Sequence, residues 1–323
     1  GVYQLLFLDK IPARAAVNES VALCRRCGLD RAAGLVNAVL RRVGENRNSL
    51  PAIPNAGSAE HLSIKYSHPI WLVDRLITER GYDFTEAFLR CCNTPPGLDI
   101  QVNTLKVSMD DYARALARSD IVHTLCDFPS GCITLYGGSV TALPGFEEGL
   151  FYVQDRAARM AVEIAAPMPG MRVLDACSAP GGKAFSAAVR MENRGSILAC
   201  DIHEKKLALI RQGAERLGID IITTEARDAR RSDAALEGAF DIVIADVPCS
   251  GIGVIRKKPE IRCKSEDEIA GLPAIQCDIL ANLSRFVKPG GTLLYSTCTV
   301  LECENEAVVK GFLESHNDYA LES

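Results

Sequence analysis

The sequence predicts an α/β protein. Its main part is a doubly wound, mostly parallel, Rossmann-like domain, preceded by a small α/β segment and a partial all-α domain. From about residue 151, apolar strands alternate with amphipathic helices, a pattern typical of a parallel sheet covered on both faces. Residues 1 to about 45 show only helical periodicity. With 48% hydrophobic and 24% charged residues among 323, the composition is that of a globular chain.

The first predicted domain, residues 1–55, is helical. In its clearest helix, apolar residues recur at a spacing that forms one stripe: Leu35, Val36, Val39, Leu40 and Val43. "GENRNSLPAIPNAGS" follows as a linker rich in Gly, Asn, Ser and Pro. The chain lacks an initiating Met, opens inside a helical pattern and stops soon after a helix, so we expect a fragment of a longer protein.

The second predicted domain, residues 56–150, is the linker and a small α/β unit. Two short helices in "SHPIWLVDRLITERGYDFTEAFLRCCN" precede the strand "LDIQVNTLK". A helix capped by Ser108 and the strand "CITLYG" complete it. The third domain, residues 151–323, contains five strands: "RVLDA", "SILACD", "DIITT", "FDIVIAD" and "GTLLYST". Ligands of such a sheet bind at the carboxyl ends of its strands.

Charge and cysteine content limit the classes of function. The net charge is −5, so any nucleic-acid binding must rest on local basic patches. No apolar run approaches the ~20 residues of a membrane span, and no secretory leader precedes the helices. Thirteen scattered cysteines favour a reducing compartment, so we expect a cytoplasmic protein, as a monomer. Cys24 and Cys27 form a lone CxxC, and zinc would need two further ligands, so no metal is predicted.

The strand ends predict a nucleoside cofactor. The first strand ends in "VLDACSAPGGK", where adjacent Gly181 and Gly182 allow a ligand to approach the backbone before the helix starts at Lys183. The next three strands lead to Asp201, Asp228 and Asp246. An acid after the second strand commonly binds ribose hydroxyls. With Asp175 on the first strand, four acids on successive strand ends disfavour a pyrophosphate and suit a cationic nucleoside such as S-adenosylmethionine.

Two cysteines follow the last two strands, Cys249 in "DVPCSG" and Cys298 in "STC". In the usual order of such sheets the first, fourth and fifth strands are neighbours, about 4.8 Å apart. Both thiols should therefore open into one crevice beside the cofactor. A thiol beside a methyl donor suggests methylation of pyrimidine C5, since thiolate addition at C6 makes C5 nucleophilic. Lys183 is the nearest cation by motif position, and Asp246 is placed to protonate the ring at N3 or to hydrogen-bond to it. The residues alone do not rank the two thiols.

Four motifs in order, "DACSAPGGK", "DVPCSG", "GVIRKKPEIR" and "STCTVLECENE", resemble the NOL1/NOP2/Sun family of RNA 5-methylcytosine methyltransferases. The likeness is greatest to the bacterial Sun/Fmu (RsmB) branch and covers nearly the whole chain. "YQLLFLDKIPARAAVNESV" and "GLVNAVLRR" are similar to the second half of a NusB-like domain. The sequence departs from the family's pattern at "GGKAFS" and "QDRAAR", and the family's strand hairpin after the fifth strand is missing.

The resemblance implies roles for named residues. Cys298 is the nucleophile and Cys249 assists product release, with Asp246 and Lys183 in the catalytic set. S-adenosylmethionine is bound by Asp201, Asp228, Asp246 and the loop Cys177, Ser178, Ala179, Pro180, Gly181, Gly182 and Lys183. The substrate is a cytosine in small-subunit (16S) ribosomal RNA. The basic residues after Gly253 then favour contacts to RNA phosphates, namely Arg256, Lys257, Lys258 and Arg262.

Three alternatives compete with this prediction. In the first alternative, the chain is a non-catalytic RNA-binding, antitermination-like factor. In the second, it performs the same chemistry on transfer RNA. An exocyclic-amine methyltransferase is disfavoured because "DVPC" replaces the Asn/Asp-Pro-Pro-aromatic motif of those enzymes.

Overall fold

The structure is a computed structural model that describes residues 1–119 and 121–322, so the final position of the predicted domain 151–323 lies outside the described residues. It divides into two compact units, Gly1–Lys65 and Tyr66–Ser323. The predicted boundaries at residues 55 and 150 stay predictions. No helix in the described part of the chain is long and apolar enough to cross a membrane.

The first unit is helical. Its helices are α1 (Val2–Phe7), α2 (Ala13–Arg26), α3 (Asp30–Glu45) and α4 (Ala59–Tyr66), the last ending one residue into the second unit. The core contains Leu5, Ala16, Val17 and Leu40. The single stripe predicted for α3 is only partly buried: Leu40 lies in the core, but Leu35 is 68% exposed. The apolar stripe of α3 is wider than the part of its surface against which the other helices of this unit pack.

The second unit begins with α5 (Ile70–Arg80) and α6 (Tyr82–Cys92), followed by a small antiparallel sheet. Its strands are β1 (Leu98–Val102), β2 (His123–Leu125), β3 (Cys132–Leu135) and β4 (Phe151–Val153), in the order β2-β3-β1-β4. Helix α7 (Met109–Ala117) begins as predicted, with Ser108 accepting a hydrogen bond from the Asp111 N–H. Strand β4 pairs with β1, so the chain stays in the small sheet up to Val153.

The rest of the second unit is the predicted doubly wound domain. Its five-stranded sheet has the order β7-β6-β5-β8-β9, and every neighbouring pair is parallel. The strands are β5 (Arg172–Asp175), β6 (Ser196–Asp201), β7 (Ile222–Ala226), β8 (Phe240–Asp246) and β9 (Val287–Ser296). The helices are α8 (Arg156–Ala165), α9 (Gly182–Arg190), α10 (Glu204–Leu217), α11 (Glu266–Ile269), α12 (Leu272–Ser284) and α13 (Glu306–Ser315).

Two cores cover the two faces of this sheet. Because side chains alternate along a strand, Ile242 and Ile244 of β8 face α8, α9 and α10, whereas Val243 and Ala245 face α12 and α13. Burial on both faces explains why β8 reads as a continuous apolar run. The fold class predicted from the sequence is therefore confirmed, and β5, β8 and β9 are neighbours as expected.

Candidate active site

The loop between β5 and α9 forms one wall of the site. Gly181 has φ +110°, and a Cβ there would lie 2.6 Å from the Phe185 ring. The glycine is thus required by backbone conformation and by the packing of Phe185. At Gly182 a Cβ would meet only ordinary contacts, 3.6 Å from Gln154. The first of the two glycines therefore shapes the loop, for a reason internal to the fold.

A cavity of about 370 Å³ opens at the carboxyl ends of the strands. This volume lies within the ~300–1,000 Å³ of small-molecule sites. Five of the residues predicted to bind the cofactor line it: Cys177, Ala179, Asp201, Asp228 and Asp246. The other predicted residues, Ser178, Pro180, Gly181, Gly182 and Lys183, do not line it. Sequence reasoning missed further lining residues on other elements, among them Ile202, Lys206, Arg227, Pro248, Ile275 and Ile279.

Two of the acids in this cavity already have partners within the protein. The side chain of Asp201 accepts a hydrogen bond from the His203 N–H at 2.9 Å. Hydrogen bonds from Arg230 lower the pKa of Asp228 to about 2, and the guanidinium reaches both carboxylate oxygens. Deeper in the same region, burial raises the pKa of Asp175 to about 7. The cavity therefore offers carboxylates of unequal charge and availability.

The two strand-end thiols meet. Asp246 of β8 is in register with Ser296 of β9. The loops that follow the two strands bring the sulfurs of Cys249 and Cys298 to 3.0 Å from each other. The Cys298 N–H also donates to the Cys249 sulfur at 3.1 Å. Cys298 is exposed, whereas Cys249 is half-buried. The structure thus brings together the pair that the strand order predicts.

The pair shares its protons unequally. The hydrogen bond from Cys249 is the main cause that lowers the pKa of Cys298 to about 7. The same contact, together with burial, raises the pKa of Cys249 far above its usual range. Two interacting thiols lose protons as a pair. The first proton is therefore lost near neutral pH, and the resulting thiolate resides mainly on Cys298.

Asp246 and Lys183 form an ion pair beside the thiols. Lys183 Nζ lies 2.7 Å from Asp246 Oδ2, and Ser296 donates its hydroxyl to Asp246 Oδ1 at 2.8 Å. The charge of Lys183 lowers the pKa of Cys298, but Asp246 raises it. Asp246 raises the pKa of Cys298 by more than Lys183 lowers it, so the effect of the predicted cation on the thiol is more than cancelled, and the hydrogen bond from Cys249 is what lowers this pKa.

The basic loop after Gly253 is largely engaged inside the protein. Arg256 donates to the carbonyls of Thr94 and Pro95, and Lys257 pairs with Asp155. Arg262 donates to the Ser67 carbonyl and to Asn93 Oδ1. Lys258 is exposed, and its ammonium forms no hydrogen bond or ion pair within the described part of the chain. Of the four cations predicted to contact RNA, this one remains available.

The chain also resembles known proteins. A family model described as "16S rRNA methyltransferase RsmB/F" matches residues 162–323, the NusB family matches 1–45, and an RsmF/B-like ferredoxin-like domain matches 68–141. The probable ribosomal RNA small subunit methyltransferase B of Bacillus subtilis is 36% identical, over 99% of this chain and 72% of that protein. The ribosomal RNA small subunit methyltransferase B of Pseudomonas putida is 35% identical, over 97% and 71%.

Two solved structures are similar as well. The crystal structure of PH0851 superposes with a TM-score of 0.82 and 30% identity, covering 98% of this chain and 71% of that one. A methyltransferase homolog protein from Pyrococcus horikoshii superposes with a TM-score of 0.71 and 27% identity, covering 80% and 83%. The first of these matches spans the helical, small-sheet and doubly wound parts alike. The chain therefore belongs to the RsmB/F methyltransferase family.

Proposed function

We propose that this protein transfers a methyl group from S-adenosylmethionine to C5 of a cytosine in small-subunit ribosomal RNA, with Cys298 as the nucleophile. The substrate class rests on the relatives, which are named ribosomal RNA small subunit methyltransferases. The chemistry rests on one observation above all, the 3.0 Å contact between two thiols beside the Asp246–Lys183 pair.

The cavity suits a cationic nucleoside. Asp201 and Asp228 offer acceptors for hydroxyl or amine groups, while Ile202 and Ile279 offer apolar surface to a ring. No pyrophosphate-binding glycine motif precedes α9. S-adenosylmethionine supplies an electrophilic methyl group. Asp246 lines this cavity and, in its ion pair with Lys183, also lies beside the thiols.

The thiols address the low nucleophilicity of cytosine C5. The Cys298 thiolate adds to C6, so a sulfur–carbon bond forms and electron density moves toward C5 and N3. Lys183 supplies a proton that Asp246 passes to N3, which accommodates that density. C5 then takes the methyl group. Loss of the C5 proton restores the C5–C6 double bond and expels the Cys298 thiolate, and the N3 proton returns through Asp246 to Lys183.

Cys249 is suited to the release step. Its pKa is raised mainly because it hydrogen-bonds to the Cys298 sulfur. Once Cys298 is bonded to C6, that sulfur no longer carries negative charge, and the pKa of Cys249 falls. Cys249 can then lose its own proton to solvent and, as a thiolate, accept the C5 proton, directly or through a water. The exposed thiol of low pKa therefore attacks, and its half-buried partner assists release.

Near the site, Lys258 is the residue proposed to contact RNA phosphates. It is exposed beside the catalytic loop, whereas Arg256 and Arg262 are held by carbonyl groups of the protein. Phosphate contacts contribute affinity without reading sequence. The target base has to be unstacked before its C6 can approach Cys298.

Incubation with tritiated S-adenosylmethionine and small-subunit ribosomal RNA tests the proposal. We expect label in 5-methylcytosine, none with Cys298→Ala, and an accumulated protein–RNA adduct with Cys249→Ala. Transfer RNA serves as the comparison substrate, and preferential labelling there would change the substrate. If Cys298→Ala stayed active while Cys249→Ala lost activity, the roles of the thiols would be reversed. RNA binding without labelling or adduct formation would indicate a non-catalytic factor.

A further inference from the structure

A buried glutamate lies behind the two thiols. Glu304 is 1% exposed and sits in a short 3-10 turn, Glu302–Glu304, just after the segment that carries Cys298. No Lys, Arg or His side chain of the described residues forms an ion pair with it. Burying a carboxyl group without a cationic partner is costly. Such a group calls for a specific role in the fold or the site.

Its contacts point to the loop that carries Cys249. Glu304 Oε2 accepts the backbone N–H of Ser250 at 2.8 Å and the Gln276 side-chain amide at 2.9 Å. The same Gln276 amide donates to the carbonyl of Pro248 at 3.0 Å. The residues on both sides of Cys249 are therefore held, one directly by Glu304 and the other through Gln276.

The same network reaches the segment that carries Cys298. The Ser250 hydroxyl donates to the Thr299 hydroxyl at 2.8 Å, next to Cys298. The Tyr295 hydroxyl, near the end of β9, donates to the Glu304 carbonyl at 2.7 Å. Two loops that are 49 residues apart in the chain are thus joined by side chains flanking each thiol.

We propose that Glu304, acting with Gln276, is a positioning residue that holds the Cys249 sulfur against the Cys298 sulfur. This inference rests on the proposed function for its catalytic meaning, but the geometry it describes is independent of the substrate. The role requires an acceptor at Oε2 and no proton transfer. Glutamine keeps that acceptor and the side-chain length, so Glu304→Gln is the conservative variant. Glu302 lies in the same turn and is exposed, so Glu302→Ala is the matched control.

The test compares the pH profile of Cys298 alkylation by iodoacetamide, followed by mass spectrometry of its peptide, with methyl transfer. In Glu304→Ala we expect the alkylation midpoint to rise from about 7 toward 9.0, because the sulfurs separate. We expect methyl transfer to fall roughly 10- to 100-fold, as for other displacements of about 1 Å. Glu304→Gln should keep the alkylation midpoint of the wild type and a rate of methyl transfer within about 3-fold of it. Glu302→Ala should match the wild type in both.

Either of two results with the Glu304 variants would overturn the inference. One is an unchanged alkylation midpoint and activity in Glu304→Ala. The other is a Glu304→Gln variant as impaired as Glu304→Ala, which would indicate proton transfer. If Glu304→Ala does not fold, Gln276→Ala releases Pro248 while leaving the glutamate in place, and an unchanged midpoint there would equally refute the role. A shifted midpoint in a protein that methylates no RNA would support the positioning role and reject the proposed function separately.

Discussion

Replacing Cys249 by alanine tests whether the thiol contact activates Cys298. The substitution removes the hydrogen bond that is the main cause of the low pKa of Cys298. That pKa should therefore rise from about 7 toward the ordinary 9.0. At pH 7 the thiolate fraction then falls from about one half to about one hundredth, a roughly 50-fold loss.

The reaction rate changes less than the thiolate fraction. A thiolate of higher pKa is intrinsically more nucleophilic, with a Brønsted slope of about 0.4–0.5, so two pKa units recover about 6- to 10-fold. Alkylation of Cys298 in Cys249→Ala should thus be roughly 5- to 8-fold slower than in the wild type at pH 7. Above pH 9, where both proteins are mostly thiolate, the variant should be the faster one. The two pH profiles cross.

The assay is iodoacetamide alkylation with mass spectrometry of the Cys298 peptide, because the wild-type chain contains twelve other cysteines. Cys249→Ser is the matched control, since its hydroxyl keeps a hydrogen-bond donor of similar size. Its profile should stay near that of the wild type. Parallel profiles for the alanine variant and the wild type, without a crossing, would refute activation by Cys249.

Three further outcomes are expected. Arg262→Ala should lower the free energy of unfolding by about 1–3 kcal/mol, because two hydrogen bonds are lost. Lys258→Ala should leave stability unchanged and reduce the slope of RNA affinity against salt concentration, the salt slope, by about 1. Gly253→Ala places a Cβ 2.9 Å from the Cys298 carbonyl oxygen and should reduce methyl transfer by about 10-fold or more, with Gly271→Ala, where a Cβ meets nothing, as its control. Burial and then the charge of Arg262 lower the pKa of His68 to about 4, so the protein should lose up to about 3 kcal/mol of stability as pH falls from 6.5 to 4.

Each of these has a contrary result. Equal thermal stability of Arg262→Ala and the wild type, combined with a reduced salt slope, would return that arginine to RNA binding. Full activity of Gly253→Ala would mean that the Cys298 backbone tolerates displacement. For His68, the sign follows from linkage: the unfolded chain binds the proton more readily, so stability is complete above pH 6.5. A His68→Asn variant with the same acid dependence would assign the effect elsewhere.

The doubly wound domain could be predicted because its signals are local. Strands β5, β6 and β8 are apolar runs that end at an acid, and the burial of most of their residues explains why the pattern is clear. Strand β7 was predicted two residues early, since this edge strand is largely exposed and lacks an apolar pattern. Strands β2 and β4 were not predicted, because three residues are too few to establish a period of two.

The site was predictable where the strand topology alone decides it. Parallel order brings Cys249 and Cys298 together, and it places Asp201, Asp228 and Asp246 on one rim. Side chains that arrive from other elements were missed. Ile275 and Ile279 reach the cavity from α12, and nothing in their local sequence distinguishes them from core residues.

For the basic loop after Gly253, the sequence does not reveal the partners of the cations. A run of cations beside a catalytic motif has the same appearance whether its partners are phosphates or carbonyl groups. For Arg256 and Arg262 the partners are carbonyl and amide oxygens between Ser67 and Pro95, more than 160 residues away in the chain. Only the folded structure identifies them.

Asp246 borders the cavity and also raises the pKa of Cys298. A positively charged ligand in that cavity would offset the carboxylate and lower the pKa of the thiol further. By linkage, formation of the thiolate would in turn favour binding of the cation. In the proposed reaction, the same carboxylate would therefore impose an order of events, in which Cys298 becomes most reactive only after the methyl donor has bound and is less reactive toward other electrophiles before then.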